Sequence, residues 1–245
     1  MIRPLVKKWL LARDAVLSRP PGQFNVWEVR LRKARARGLR LERVLDGGAA
    51  TGTWTRELRS IFPDAGVLAV DPRDDVQPEL QRLKSELGNI TVAQTLLGES
   101  VGEVEFNESS DQSSMLPDSS GATFGTVKRV PITTIDALVQ STGFGWPDLI
   151  KLDVQGAELI ALRGATESLR HAQALLLELS FMQFQRGTPL FADMICWLRD
   201  RGFRVYDIAS LWHRPLDGAL AQGDFFFLRE DHPLLADVRW SADGR

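Results

Sequence analysis

The chain has 245 residues, 44% of them hydrophobic and 25% charged, with a formal net charge of −2. That fits one α/β domain with an appendage, large enough to bury a sizeable core. A single cysteine excludes an internal disulfide framework, three scattered histidines (171, 213, 232) give no zinc-ligand spacing, and no apolar run of about 18 residues predicts a transmembrane helix. The charge is unevenly placed: residues 1–43 hold 12 Lys and Arg against 3 Asp and Glu, and the remainder holds 18 against 29. That split sets a basic N-terminal arm apart from an acidic body.

In the arm, "LVKKWLLARDAVL" puts Leu5, Trp9, Ala12 and Val16 on one helical face, "RPPGQ" breaks it, and "VWEVRLRKARARG" reads as a second helix stopped by Gly38. Two roles fit the basic face: a solvated outer surface whose apolar side packs on the domain or on a second subunit, or contact with an anionic partner. No aromatic platform interleaves the charges, so no nucleic acid is expected. The arm is read as residues 1–40, the domain as 41–235 and a tail as 236–245, with the arm a route to a homo-oligomer. The N-terminus lacks the sustained apolar core and small-residue cleavage site of a secretory signal, so a cytoplasmic location is expected.

From residue 43 strands and helices alternate. "RVLDG", "GVLAVD", "NITVAQTLL", "DLIKLDV" and "ALLLELS" read as strands, separated by helices such as "VQPELQRLKSELG" and "AELIALRGATESLR". This order predicts a doubly wound, mostly parallel sheet with right-handed crossovers. "EVEFNE" and "TVKRVPITTID" read as an inserted hairpin. After helix "FADMICWLRDRG", whose periodicity predicts Cys196 as a core thiol, "FRVYDI" and "DFFFLRE" form a terminal antiparallel hairpin. Residues 107–126, rich in Ser, Asp and Gly, are too long for a plain connection and read as a lid.

In such a sheet the ligand crevice lies beside the first strand-to-helix turn, beyond the carboxyl ends of the strands. Here that turn is "VLDGGAATGTW". It lacks the full G-x-G-x-x-G fingerprint, because Ala50 takes the second glycine's place and Gly52 comes one residue early. Asp46 ends the strand, where a carboxylate repels a pyrophosphate and suits a cationic ligand. Asp71 ends the next strand, where an acid accepts ribose hydroxyls. S-adenosylmethionine, with its sulfonium and ammonium groups and no phosphate, fits both positions better than a dinucleotide.

"VLDGGAATGTWT", "VLAVDP", "VPITTIDAL", "DLIKLDVQGAELIALRGA", "LLLEL" and "GDFFFLRE" together resemble the FkbM-like branch of the S-adenosylmethionine-dependent methyltransferases, in order and over about residues 43–230. "IKLDVQGAE" is the most specific block. The resemblance implies a Rossmann-like class I fold, S-adenosyl-L-methionine as cofactor, and methyl transfer to a hydroxyl of a sugar or natural-product-like small molecule. The chain departs from the family pattern at Gly47, Ala50, Asp71 and Gln155, where Val, Asn, Glu and Glu are frequent; Gln155 removes a charge at the site mouth. The residues expected to hold the cofactor are Asp46, Gly48, Ala49, Gly52, Thr53, Asp71, Pro72, Leu97 and Asp153.

An alcohol acceptor needs a base. Three candidates stand at strand ends or in the loop before the last strand: Asp153, with Lys151 two residues earlier on its strand face, Glu178, and His213. Glu158, in the first turn of the next helix, suits either the helix dipole or a substrate role. Asp153, Glu178 and Asp224 could also gather around a divalent cation, although no ligand spacing predicts a metal site. Two rival readings keep the cofactor: methyl transfer to nitrogen, or an interaction protein that binds S-adenosylmethionine without turnover. The discriminating feature is a deprotonating group within reach of the methyl.

Overall fold

The computed structural model describes residues 24–109, 113–121 and 125–241. The expected helix around Leu5–Val16 lies outside them. Strands β1 (Phe24–Asn25), β2 (Arg43–Gly47), β3 (Gly66–Val70), β4 (Ile90–Ala93), β8 (Leu149–Leu152), β9 (Ala174–Ser180), β10 (Phe203–Ile208), β11 (Ser210–His213) and β12 (Leu220–Arg229) build one sheet. Its order is β1-β11-β12-β9-β8-β2-β3-β4, with β10 also on β12. The strands from β4 to β9 run parallel, and β12 is antiparallel to β9.

The expected hairpin is therefore present, with one addition. β10 and β11 lie end to end along the outer edge of β12, interrupted at Ala209. "NITVAQTLL" also divides: β4 stays in the main sheet, while β5 (Leu96–Leu97) joins a smaller sheet of order β5-β7-β6 with β6 (Gly102–Glu108) and β7 (Thr126–Thr133).

Both faces of the parallel strands are covered, which is why they read as continuous apolar runs. On one face Val44, Val67, Ala69 and Leu149 meet α1 (Trp27–Ala36), α2 (Thr53–Ile61) and α3 (Gln77–Leu87). The alternate residues Leu45, Leu68, Val70 and Ile150 meet α4 (Ile135–Thr142), α5 (Glu158–Arg163), α6 (Thr166–His171) and α7 (Phe191–Arg199) on the other. The period of two along each strand assigns the faces.

Three expectations change. α5 and α6 replace one long helix, parting at Gly164 and Ala165; Gly164 lies so close to Gly98 that a Cβ there would overlap its carbonyl oxygen. Asp136 then caps the second piece, accepting the Glu167 and Ser168 amides at 2.8 Å each. Cys196 is exposed: Met194 and Leu198, four residues apart, carry the buried stripe of α7, and Cys196 falls on the opposite face. The described part of the arm, residues 24–40, packs into the domain. β1 pairs with β11, and Trp27, Leu31, Ala34 and Leu39 are buried in the same cluster as Leu58, Ile61 and Phe62. A boundary at residue 41 cuts through that core, so residues 24–40 belong with the domain. Among the described residues no helix is long and apolar enough to cross a membrane.

Candidate active site

Strand order reverses between β2 and β8: β3 and β4 extend one way from β2, β8 and β9 the other. A crevice opens at such a reversal, beyond the carboxyl ends of the strands. It holds a cavity of about 530 Å3, lined among others by Gly48, Asp71, Pro72, Leu97, Met115 and Asp153. Asp71 follows β3 and Asp153 follows β8, two strand spacings apart, or about 9–10 Å.

The β2–α2 turn is shaped by close approach. Gly48 has φ +73°, and a Cβ on it would overlap the Asp153 carbonyl oxygen. Ala50 takes φ +47°, a left-handed conformation that non-glycine residues adopt rarely. Its N–H is received at 2.8 Å by Asp71 Oδ2. Asp71 Oδ1 accepts from the Arg73 backbone at 3.1 Å and from its guanidinium Nε at 3.2 Å. Gly52, also left-handed, faces Leu80 and Leu83 of α3 rather than the cavity. Ala49 and Thr53 line a smaller adjoining cavity of about 270 Å3, walled by Trp27, Trp54 and Lys151.

Asp46 is placed differently from the sequence expectation. It is fully buried; its carboxylate accepts the Thr55 hydroxyl at 2.6 Å and pairs with Lys151 Nζ at 3.0 Å. It supports the turn from beneath and does not face the main cavity. Lys151 accordingly belongs more to Asp46 than to Asp153, which lies 3.9 Å away. Its ammonium also donates to the Gly48 and Gly47 carbonyls at 3.0 and 3.3 Å. Burial opposes its charge, but the Asp46 and Asp153 carboxylates outweigh that and hold its pKa above the ordinary lysine value.

On the far side of Asp153 the acids gather. Its side chain is 40% exposed, and its Oδ1 accepts the Gln155 amide at 3.1 Å. The same amide reaches Glu178 Oε2 at 3.4 Å, and Gln222 donates to that oxygen at 3.1 Å. Burial, then the charge of Asp153, pushes Glu178 well above the usual carboxylate range. Asp224 stands opposite Glu178 in the β9–β12 register and accepts from the Ser210 hydroxyl; burial raises it to about 6. Glu158 is buried and accepts the Val154 and Gly156 amides at 3.0 and 3.3 Å, which gives it a turn-holding role; burial raises it to about 7.

Of the three candidate bases the fold therefore brings together Asp153 and Glu178. His213 ends β11, which β12 and β9 separate from β8, and it does not line the main cavity. Among the described residues no group of His, Cys, Asp and Glu has the arrangement to hold a metal ion. Sequence reasoning missed Arg73 and the cavity-lining Thr95, Phe106 and Ser113. Only the position of Arg73, two residues after Asp71, hinted at a role.

A parallel sheet with this reversal and one antiparallel strand, β12, beside β9 is the class I methyltransferase fold. A family model, the methyltransferase FkbM domain, matches residues 46–205, and the chain belongs to that family. Among solved structures, methyltransferase FkbM from Methylobacillus flagellatus KT superposes with a TM-score of 0.51 at 20% identity, covering 78% of this chain. This chain spans 46% of that structure's length. Magnesium protoporphyrin IX methyltransferase from Synechocystis PCC 6803, solved with bound S-adenosylmethionine, gives 0.49 at 15% identity, covering 83% of this chain and 77% of its own. No curated protein sequence matches.

Proposed function

We propose that this chain binds S-adenosylmethionine in the crevice and transfers its methyl group to a hydroxyl of a sugar or natural-product-like small molecule. The observation that carries the reading is one cavity lined by two carboxylates, Asp71 and Asp153, and by apolar Val70, Leu97 and Met115. The two acceptor carboxylates fit a ligand with a ribose diol and positive charge. Arg73 is paired with Asp71 and Lys151 with Asp46, so the nearest cations are already neutralised and a pyrophosphate would lack a partner. When bound, the cofactor supplies a methyl carbon activated by its sulfonium. Asp71 would hold the ribose hydroxyls, the Gly48–Thr51 turn would lie against the amino-acid end, and Asp153 would orient the acceptor and receive its proton. Met115 and Ser113, from the segment read as a lid, line the same cavity and would help exclude water.

The test is transfer of a labelled methyl group from S-adenosylmethionine to saccharides and to primary amines offered side by side. Label in a methyl ether is the expected result. Label on nitrogen would overturn the hydroxyl assignment.

A further inference from the structure

The geometry of Gln155 is constrained at every point. Its φ is +53°, so the residue is held left-handed without being glycine. Glu158 fixes the amides on either side of it. Its carbonyl accepts the hydroxyl of buried Ser114 at 2.9 Å. Ser114 is itself paired with Asn107 through both backbone bonds, at 3.0 and 3.1 Å, and Pro117 accepts the Arg186 amide at 2.7 Å. The segment over the crevice thus locks the Gln155 backbone in place.

From that fixed backbone the side chain reaches between two carboxylates, at 3.1 Å from Asp153 and 3.4 Å from Glu178. The orientation of the amide follows from charge: reversing it would set a carbonyl oxygen against both carboxylates. Asp224 and Glu158 add to the negative field around Glu178, and Lys151 is the cation that offsets it. A glutamate at 155 would add a further negative charge and no donor.

We infer that Gln155 is a positioning residue: its amide clamps Asp153 to Glu178 and sets the geometry and proton affinity of the carboxylate pair on the acceptor side of the cavity. The inference deepens the proposed function and rests on it for the catalytic meaning of Asp153. The clamp itself can be read without cofactor or acceptor.

The experiment is a side-chain carboxyl 13C NMR titration of the full chain and of Gln155→Gly and Gln155→Glu. Glycine accepts φ +53° without strain, so the first variant removes the amide while keeping the turn. Loss of the donor should raise the apparent titration midpoint of Glu178 by roughly half a unit or more, and the added charge in Gln155→Glu by about one unit or more. A Glu178 midpoint unchanged in Gln155→Gly would overturn the clamp, whatever Gln155→Glu does. Failure of the full chain to bind S-adenosylhomocysteine would instead overturn the proposed function and leave the clamp to be judged by the titration alone.

Discussion

Replacing Lys151 by methionine should destabilise the folded protein by about 3–5 kcal/mol, the cost of leaving one partner of a buried ion pair unpaired. Asp46 would keep the Thr55 hydroxyl but lose the ammonium at 3.0 Å, in a site with no solvent exposure. The Gly47 and Gly48 carbonyls would lose their donor as well. Urea unfolding of the variant measures the loss. The double variant Asp46→Asn with Lys151→Met removes both charges and should recover much of it, because the larger part of the single-variant cost is the stranded carboxylate. A single variant within about 1 kcal/mol of the parent, the range of an exposed ion pair, would contradict this account of the turn.

The second large effect concerns turnover. Asp153→Asn should lower kcat by about 10²–10⁴-fold, the usual contribution of a general base, with acceptor KM changing far less. Asparagine keeps the shape but cannot take the proton. Glu178→Gln should act more weakly, through the Gln155 amide that joins the two side chains. His213→Ala should leave turnover near the parent value, because His213 is three strands from β8. Steady-state kinetics with an identified hydroxyl acceptor separates these cases. If Asp153→Asn turns over at the parent rate, alignment and exclusion of water suffice and no base is needed.

Much of the fold could be read from the chain because buried parallel strands advertise themselves as short apolar runs. "RVLDG", "GVLAV" and "ALLLELS" became β2, β3 and β9 with little change. The breaks were harder. Nothing local in "AELIALRGATESLR" says that Gly164 will meet Gly98, a contact made across the fold. The place of Trp27 and Leu31 in the main core was hidden by the basic residues that alternate with them.

The site divides in the same way. The places of Asp71 and Asp153 beside the crevice were legible because strand order and strand ends locate them. The burial of Asp46 was not, since the sequence shows a strand-end acid but not the lysine that rises beneath it from β8. Gln155 was visible as a missing charge, while its part between Asp153 and Glu178 depends on a left-handed turn that only the three-dimensional structure shows.

In the proposed function the crevice is a cofactor site with Asp71 in its wall. Calorimetric titration of the full chain with S-adenosylhomocysteine tests it most directly. One binding site per chain is predicted, with affinity falling about 10- to 100-fold in Asp71→Ala. Two charge-assisted hydrogen bonds would be lost there, each about 1.5–3 kcal/mol, offset in part because the free carboxylate already serves Ala50 and Arg73. Absence of binding, or equal affinity in Asp71→Ala, would contradict the account.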